Sequence, residues 1–177
     1  RFIRRKGHLT LIAALPRILE RVPNAVLVMV GQGPMLHKAA RLANKLGLRE
    51  HVVFPGRLSA DEVACLYALC DVFALPTGQS EGGQVEGFGL VFTEAQAYGK
   101  PVVAGRSGGV VDAVLDGETG LLVDPDDADA VAEAILRCLT DKTFAQQLGE
   151  AGRARVEREL NWRVFARKLV DEVETRR

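Results

Sequence analysis

The sequence predicts an α/β protein: a doubly wound, Rossmann-like parallel sheet with helices on both faces. Short β-branched runs alternate with longer segments whose apolar residues recur at helical spacing, from one end of the chain to the other. Several of the apolar runs close on glycine or proline turns, Gly31-Gln32-Gly33-Pro34, Pro55-Gly56 and Pro76 among them. A chain of 177 residues that is 47% hydrophobic and 26% charged is ordinary for one globular domain with a sizeable core.

Four cations crowd the first seven residues, Arg1 to Gly7. Read alone, such a run is a solvated basic start. Leu9, Leu11, Ile12, Leu15, Ile18, Leu19 and Val22 then keep helical spacing until Pro23-Asn24 ends it. Residues 25–30 form a β-branched strand. Strand, glycine turn and helix make a phosphate-loop layout, but two glycines without a third also fit a plain tight turn. Residues 35–46 are helical and end at Gly47, and residues 51–54 are a second strand followed by Pro55-Gly56-Arg57-Leu58. Ser59 is placed to cap a helix running to about Leu69, with Asp61 and Glu62 opposing the positive end of its dipole. Residues 71–75 are the third strand and 102–104 the fourth. Ser107-Gly108-Gly109 opens a helix through Leu115, Asp116-Gly117-Glu118-Thr119-Gly120 is a tight turn, and residues 121–123 are the last strand. Asp124-Pro125-Asp126-Asp127 caps the next helix, and residues 129–139, 144–158 and 162–173 all read as helical. Asn161 serves as an N-cap before Trp162, whose ring is expected to pack rather than to stack on a base.

The chemistry concentrates in Glu86-Gly87-Phe88-Gly89-Leu90-Val91-Phe92-Thr93-Glu94. Eight residues at about 100° each would put Glu86 and Glu94 on different faces of a continuous helix, so they share a site only if Gly87 and Gly89 bend the chain between them. Such a turn bares the amides of Phe88, Gly89 and Leu90 at a helix N-terminus, whose partial positive charge suits phosphate. Glu94, one turn in, then reaches hydroxyls close to that phosphate. Diols next to a phosphate describe a nucleotide or a nucleotide sugar. The preceding Glu81-Gly82-Gly83 imitates the start of this pattern, but eight residues beyond it stands Gly89, not a second acid. Gln79, Ser80, Glu81 and Gln84 read as a solvated loop with room to face a sugar or an acceptor. Gly31, Arg57 and the stretch from Glu86 to Glu94 all follow strands, so they converge on the edge where doubly wound sheets bind ligands.

Glu86 and Glu94, the continuation Ala95-Gln96-Ala97-Tyr98-Gly99-Lys100-Pro101, and the run from Ser107-Gly108-Gly109 to Asp124-Pro125 together resemble the retaining GT-B-fold glycosyltransferases of the E-x7-E, or group 1, family. That family includes phosphatidylinositol mannosyltransferases and bacterial polysaccharide glycosyltransferases. The likeness runs over essentially the whole chain and concerns the C-terminal, donor-binding half of such enzymes. It implies that residues 1–177 are a nucleotide-sugar binding domain, with an N-terminal acceptor domain outside this chain. It also implies transfer of a hexose from a nucleotide-diphosphate donor with retention of configuration, and no turnover by this half alone. By the resemblance, Arg1 and Lys6 grip the donor diphosphate. A guanidinium forks onto phosphate oxygens and an ammonium supplies a point charge, which suits a pyrophosphate leaving group. Glu86 holds the hydroxyls of the transferred sugar, Glu94 the ribose diol, and Phe88, Gly89 and Leu90 the phosphate. Gly31 borders the donor site, and Arg57 and Leu58 lie against the base. Arg4 and Arg5 stay with the solvated reading. The loop of residues 77–85 is several residues longer than the commoner family pattern. The family works without a metal or other cofactor, the nucleotide sugar being a substrate. The partners implied are that donor and a glycan or lipid acceptor bound through the N-terminal half. The full enzyme is expected in the cytoplasm, associated peripherally with the inner face of the membrane.

Lysine plus arginine equals aspartate plus glutamate at 23 each, which removes any global electrostatic case for nucleic acid. Cys65, Cys70 and Cys138 are odd in number and lack C-x-x-C spacing, so reduced thiols are expected, with Cys65 and Cys70 in the core. His8, His37 and His51 lack metal-ligand spacing. Two other readings stay open: a sugar-nucleotide epimerase or phosphorylase of the same fold, and a non-catalytic nucleotide-binding module. A receiver-type module would want acids where residues 26–30 run into Gly31-Gln32-Gly33, and a nicotinamide site would want a third glycine and a later acid.

Overall fold

The computed structural model describes residues 1–80 and 82–175. After a 3-10 turn at Arg4–Lys6, strands and helices alternate: α1 His8–Arg21, β1 Leu27–Val30, α2 Leu36–Lys45, β2 Val52–Gly56, α3 Ala60–Leu69, β3 Phe73–Leu75, α4 Leu90–Ala97, β4 Val102–Gly105, α5 Val110–Ala113 and β5 Leu121–Val123. Three helices follow, α6 Ala128–Thr140, α7 Lys142–Arg158 and α8 Trp162–Thr175. Local chemistry sets several of these bounds. Ser59 and Glu62 form a reciprocal capping box at the start of α3, each satisfying an otherwise orphaned amide. The Asp127 carboxylate accepts from Asp129 and Ala130 at the head of α6, and Asn161 Oδ1 accepts from the Val164 amide at the head of α8.

Every strand pairing is parallel, and the strands fall into two sheets, β1-β2 and β3-β4-β5. The opening segment links them where their strands end: the Phe2 amide donates to Gln32 O beyond β1, and the Gly78 amide beyond β3 donates to Arg5 O. Strand β4 is buried at every position. Its alternating side chains enter two cores, Val103 facing α1 and α6, Val102 and Ala104 facing α4 and α5. Helices therefore cover both faces, as a doubly wound fold requires. Ile12 and Leu15 of α1 and Val131 and Leu136 of α6 are almost fully buried, each contributing roughly 1.5–3 kcal/mol of burial.

The outer edge of β5 is closed by side chains. The outward Leu122 amide donates to Asp116 and the Leu122 carbonyl accepts from Arg106, whose guanidinium also pairs with Asp116. Burial opposes the Asp116 charge, but the amide and the guanidinium outweigh it and hold the carboxyl below its usual range. The pair does for this edge what a further strand would do.

Two packing expectations fail. Cys65 is exposed and Cys70 only half-buried, while Cys138 is the buried thiol, all three being free. Beyond Asp61 and Glu62 of its first turn, helix α3 is apolar from Val63 to Leu69, so periodicity does not say which face turns inward. Trp162 is 80% exposed, with the Phe165 ring 6.4 Å away.

Candidate functional site

The site is built around the turn into α4. Gly89 is its N-cap with φ +81°, a left-handed conformation that an L side chain rarely adopts, and an added Cβ would lie 2.5 Å from the Phe92 ring. The chain bends at Gly87 and Phe88, but only Gly89 of the two glycines needs the left-handed conformation, because Gly87 keeps an ordinary φ. At Gly87 it is the backbone that is hemmed in, since a Cβ there would meet open space. A Cβ on Gly109 would stand 1.8 Å from the Gly87 carbonyl oxygen, and the Gly109 amide donates to Glu86 O at 3.0 Å. Ser107-Gly108-Gly109 is thus a shelf for the Glu86-Gly87 backbone as well as the start of α5. Among the described residues, the amides of Phe88, Gly89 and Leu90 donate no backbone hydrogen bond. They are the free donors of a helix N-terminus.

Glu86 lies over this terminus, its Cγ 3.4 Å from where a Gly89 side chain would begin. Lys6 Nζ approaches Glu86 Oε2 to 2.7 Å, and only 14% of either side chain is exposed. Arg5, expected in solvent, has Nε 3.8 Å from the same oxygen and a side chain only 18% exposed. Its carbonyl is tied to the Gly78 amide, which holds the residue inside the junction of the two sheets. Arg4 is exposed, as expected. The neighbouring His8 is buried, stacked on Phe2 at 4.2 Å with Nδ1 unpartnered. Burial, assisted by the positive charges of the amino terminus at Arg1 and then of Lys6, lowers its pKa to about 4.

Glu94 stands on the exposed side of α4 and accepts a 2.9 Å hydrogen bond from Tyr67 OH of α3. Burial and then the Glu94 charge raise the Tyr67 pKa, keeping it protonated. Phe88 is half-buried and Leu90 is 56% exposed. With Thr93, Glu94 and the start of α8 they line a cavity of about 330 Å³. A larger cleft of about 470 Å³ runs along the β5 edge and touches none of the candidate residues.

The turns after β1 and β2 meet through the Gly31 amide, which donates to Gly56 O at 2.7 Å. Gly31 also lies against Arg1, whose backbone nitrogen would be 3.6 Å from a Cβ at that position. Arg1 and Arg57 are exposed and Leu58 is half-buried at this rim. The structure therefore brings together Lys6, Glu86 and the α4 terminus, and separately Arg1, Gly31 and the turn leading to Arg57. In the long loop, Gln79 and Gln84 are exposed around a tight turn closed by Ser80 N to Gln84 O, and Glu81 lies outside the described residues. Among the described residues no three His, Cys, Asp or Glu side chains gather into a metal-binding group, and no helix is long and apolar enough to cross a membrane.

Sequence reasoning missed Tyr67, Arg5 and the Gly108-Gly109 shelf. Only the shelf had a local signal, a glycine pair just ahead of α5.

The sequence model described as "Glycosyl transferases group 1" matches residues 1–155. A GDP-mannose-dependent alpha-(1-6)-phosphatidylinositol monomannoside mannosyltransferase of Mycobacterium tuberculosis is 45% identical over 172 residues, 97% of this chain and 45% of that protein. A D-inositol 3-phosphate glycosyltransferase of Corynebacterium diphtheriae is 37% identical over 93% of this chain and 38% of its own length. Among solved structures, sucrose-phosphate synthase from Thermosynechococcus elongatus superposes with a TM-score of 0.83 at 36% identity, covering 99% of this chain and 43% of that one. Anabaena HepE in complex with UDP gives 0.87 at 26%, covering 99% and 47%. The chain thus spans less than half the length of these relatives. By sequence and fold alike, the chain belongs to the group 1 glycosyl transferases.

Proposed function

We propose that this chain is the donor-binding part of an enzyme that transfers a hexose, with retention of configuration, from a nucleotide-diphosphate sugar to an acceptor. The observation that carries the reading is the Lys6–Glu86 pair at 2.7 Å, set over a helix terminus with free amides. When the bond from the anomeric carbon to the diphosphate breaks, its electron pair stays on the phosphate oxygen. Lys6, Arg1 and the amides of Phe88, Gly89 and Leu90 would stabilise that charge most where it is largest, in the transition state. In this reading the cations and the helix end neutralise the diphosphate without a metal. Glu86, released from Lys6 as phosphate takes the ammonium, would accept from the sugar hydroxyls. Glu94 would accept from the ribose diol, and Arg57 and Leu58 would border the base with Gly31 beside them. The 45% identity to a GDP-mannose-dependent relative favours GDP-mannose as donor. The same relative's name points to a glycolipid acceptor, engaged by the rest of a longer enzyme at the inner face of a membrane.

Titration calorimetry on this chain with GDP, GDP-mannose and UDP tests the donor site. A hydrogen bond to a charged group contributes roughly 1.5–3 kcal/mol, so Glu94→Ala should weaken the preferred nucleotide about tenfold to a hundredfold. Unchanged affinity in that variant removes Glu94 from the site, and no binding of any of the three overturns the reading.

A further inference from the structure

We propose that Tyr67 is a positioning residue of the nucleotide site, its hydroxyl holding the Glu94 carboxylate in the orientation that receives the ribose diol. The inference deepens the reading above and rests on it. A glutamate on an exposed helix face turns freely about three side-chain bonds and must lose that freedom when it binds a ligand. Here the freedom is already curtailed by the 2.9 Å bond from Tyr67 OH to Oε2.

The phenol is itself fixed by rings. It stacks on Tyr98 at 5.8 Å with 24° between the planes and lies tilted against Phe73 at 5.5 Å. Phe73 in turn sets its edge against Phe92 of α4 at 6.0 Å. The hydroxyl is thereby held relative to the helix that carries Glu94. A carboxylate only accepts hydrogen bonds and has room for about four, so one phenol proton on Oε2 leaves Oε1 and the remaining lone pairs for two ribose hydroxyls. Tyr67 also lies on the helix that follows Leu58, so the same element carries the candidate base loop and the group that orients the candidate ribose ligand.

A bond that merely ties α3 to α4 would have the same geometry, and the test separates the two. Calorimetry measures Kd for GDP, 2′-deoxy-GDP and 3′-deoxy-GDP, with the UDP series in parallel, on the unaltered chain, Tyr67→Phe and Glu94→Ala, with thermal melts of each as control. Tyr67→Phe keeps the stacked ring and should melt near the unaltered chain. It should bind the preferred nucleotide about three- to tenfold more weakly, as expected for one oriented hydrogen bond. The decisive readout is the penalty for a missing ribose hydroxyl. It should be about tenfold or more in the unaltered chain, clearly smaller in Tyr67→Phe and absent in Glu94→Ala. Affinity unchanged in Tyr67→Phe, or weakened equally for ribo- and deoxyribonucleotides, overturns the positioning role. A penalty that survives Glu94→Ala instead overturns the placing of the ribose at Glu94, a distinct result. Failure of both nucleotide series to bind overturns the donor-site reading and this inference with it.

Discussion

Glu86 and Glu94 stand either side of one glycine bend, yet their surroundings are opposite. Glu86 is 14% exposed and faces two cations, Lys6 at 2.7 Å and Arg5 at 3.8 Å. Glu94 lies in solvent and takes a hydrogen bond from a neutral phenol. The first is compensated by charge and the second by orientation. A shielded carboxylate needs countercharge before any ligand arrives, and a ligand that draws Lys6 away leaves it free to accept hydroxyls. A solvated one is cheap to keep ionised and lacks only a fixed direction. Perturbations near Glu86 should therefore cost stability as well as affinity, and those near Glu94 affinity alone.

The largest effect should come from Gly109→Ala. Its Cβ would fall 1.8 Å from Gly87 O, so the shelf must retreat from the Glu86-Gly87 backbone and give up the Gly109 amide bond. Overpacking of this kind costs about 2–3 kcal/mol, and diphosphate affinity should fall at least about tenfold as Glu86 and the α4 amides shift. Urea unfolding and calorimetry measure the two losses. If stability drops while the penalty for a missing ribose hydroxyl is kept, the two glutamates are independent; if that penalty vanishes too, they move as one unit and the contrast breaks.

That shelf also marks the limit of what the sequence discloses. Period and caps placed the elements: the strand expected at residues 121–123 is there, the helix expected at 129–139 is Ala128–Thr140, and Ser59, Asp127 and Asn161 cap as their chemistry requires. These signals act within a few residues of one another. Gly109 on Gly87, Tyr67 on Glu94 and Arg5 near Glu86 join segments 22 to 81 residues apart (109 − 87 = 22, 94 − 67 = 27, 86 − 5 = 81), and no local preference encodes such meetings. The same holds for strand pairing, where all five strands were expected but not their division into β1-β2 and β3-β4-β5. Trp162 misled for a different reason. Bulk and apolarity predict burial on average, yet α8 leaves that ring exposed.

Lys6→Met should have the next largest effect. It strands the Glu86 charge with only Arg5 at 3.8 Å. Breaking a fully buried pair costs about 3–5 kcal/mol, and with Arg5 still present and some solvent reaching the carboxylate, about 1–3 kcal/mol is expected. The Lys6→Met/Glu86→Gln double variant should recover much of that loss, because the orphaned charge is gone. Equal losses in the single and double variants would mean that Lys6 contributes through its alkyl stem, and the electrostatic half of the comparison would fall.

The smallest effect is a pH dependence confined to the Glu86 side. His8 follows Lys6 by two residues, and Phe2, on which it stacks, anchors the same segment. Its pKa is about 4 in the folded chain against about 6.5 when unfolded. The unfolded chain therefore takes up the proton first as pH falls. The His8 contribution is complete above about pH 6.5, declines toward pH 4 and is flat below, so a drop from about pH 7 to pH 5 should remove about 1–2 kcal/mol. His8→Phe keeps a ring on Phe2 and should abolish that slope, read by urea unfolding at the two pH values. In Lys6→Met the slope should shrink, since one of the positive charges that hold His8 neutral has gone. The Tyr67→Phe variant should keep the full slope, because the ring that stacks on this histidine and the charges that shift it, Phe2, the amino terminus and Lys6, lie on the Glu86 side. A slope that survived His8→Phe would place the titration elsewhere, and one flattened by Tyr67→Phe would mean that the two sides of the glycine bend are coupled.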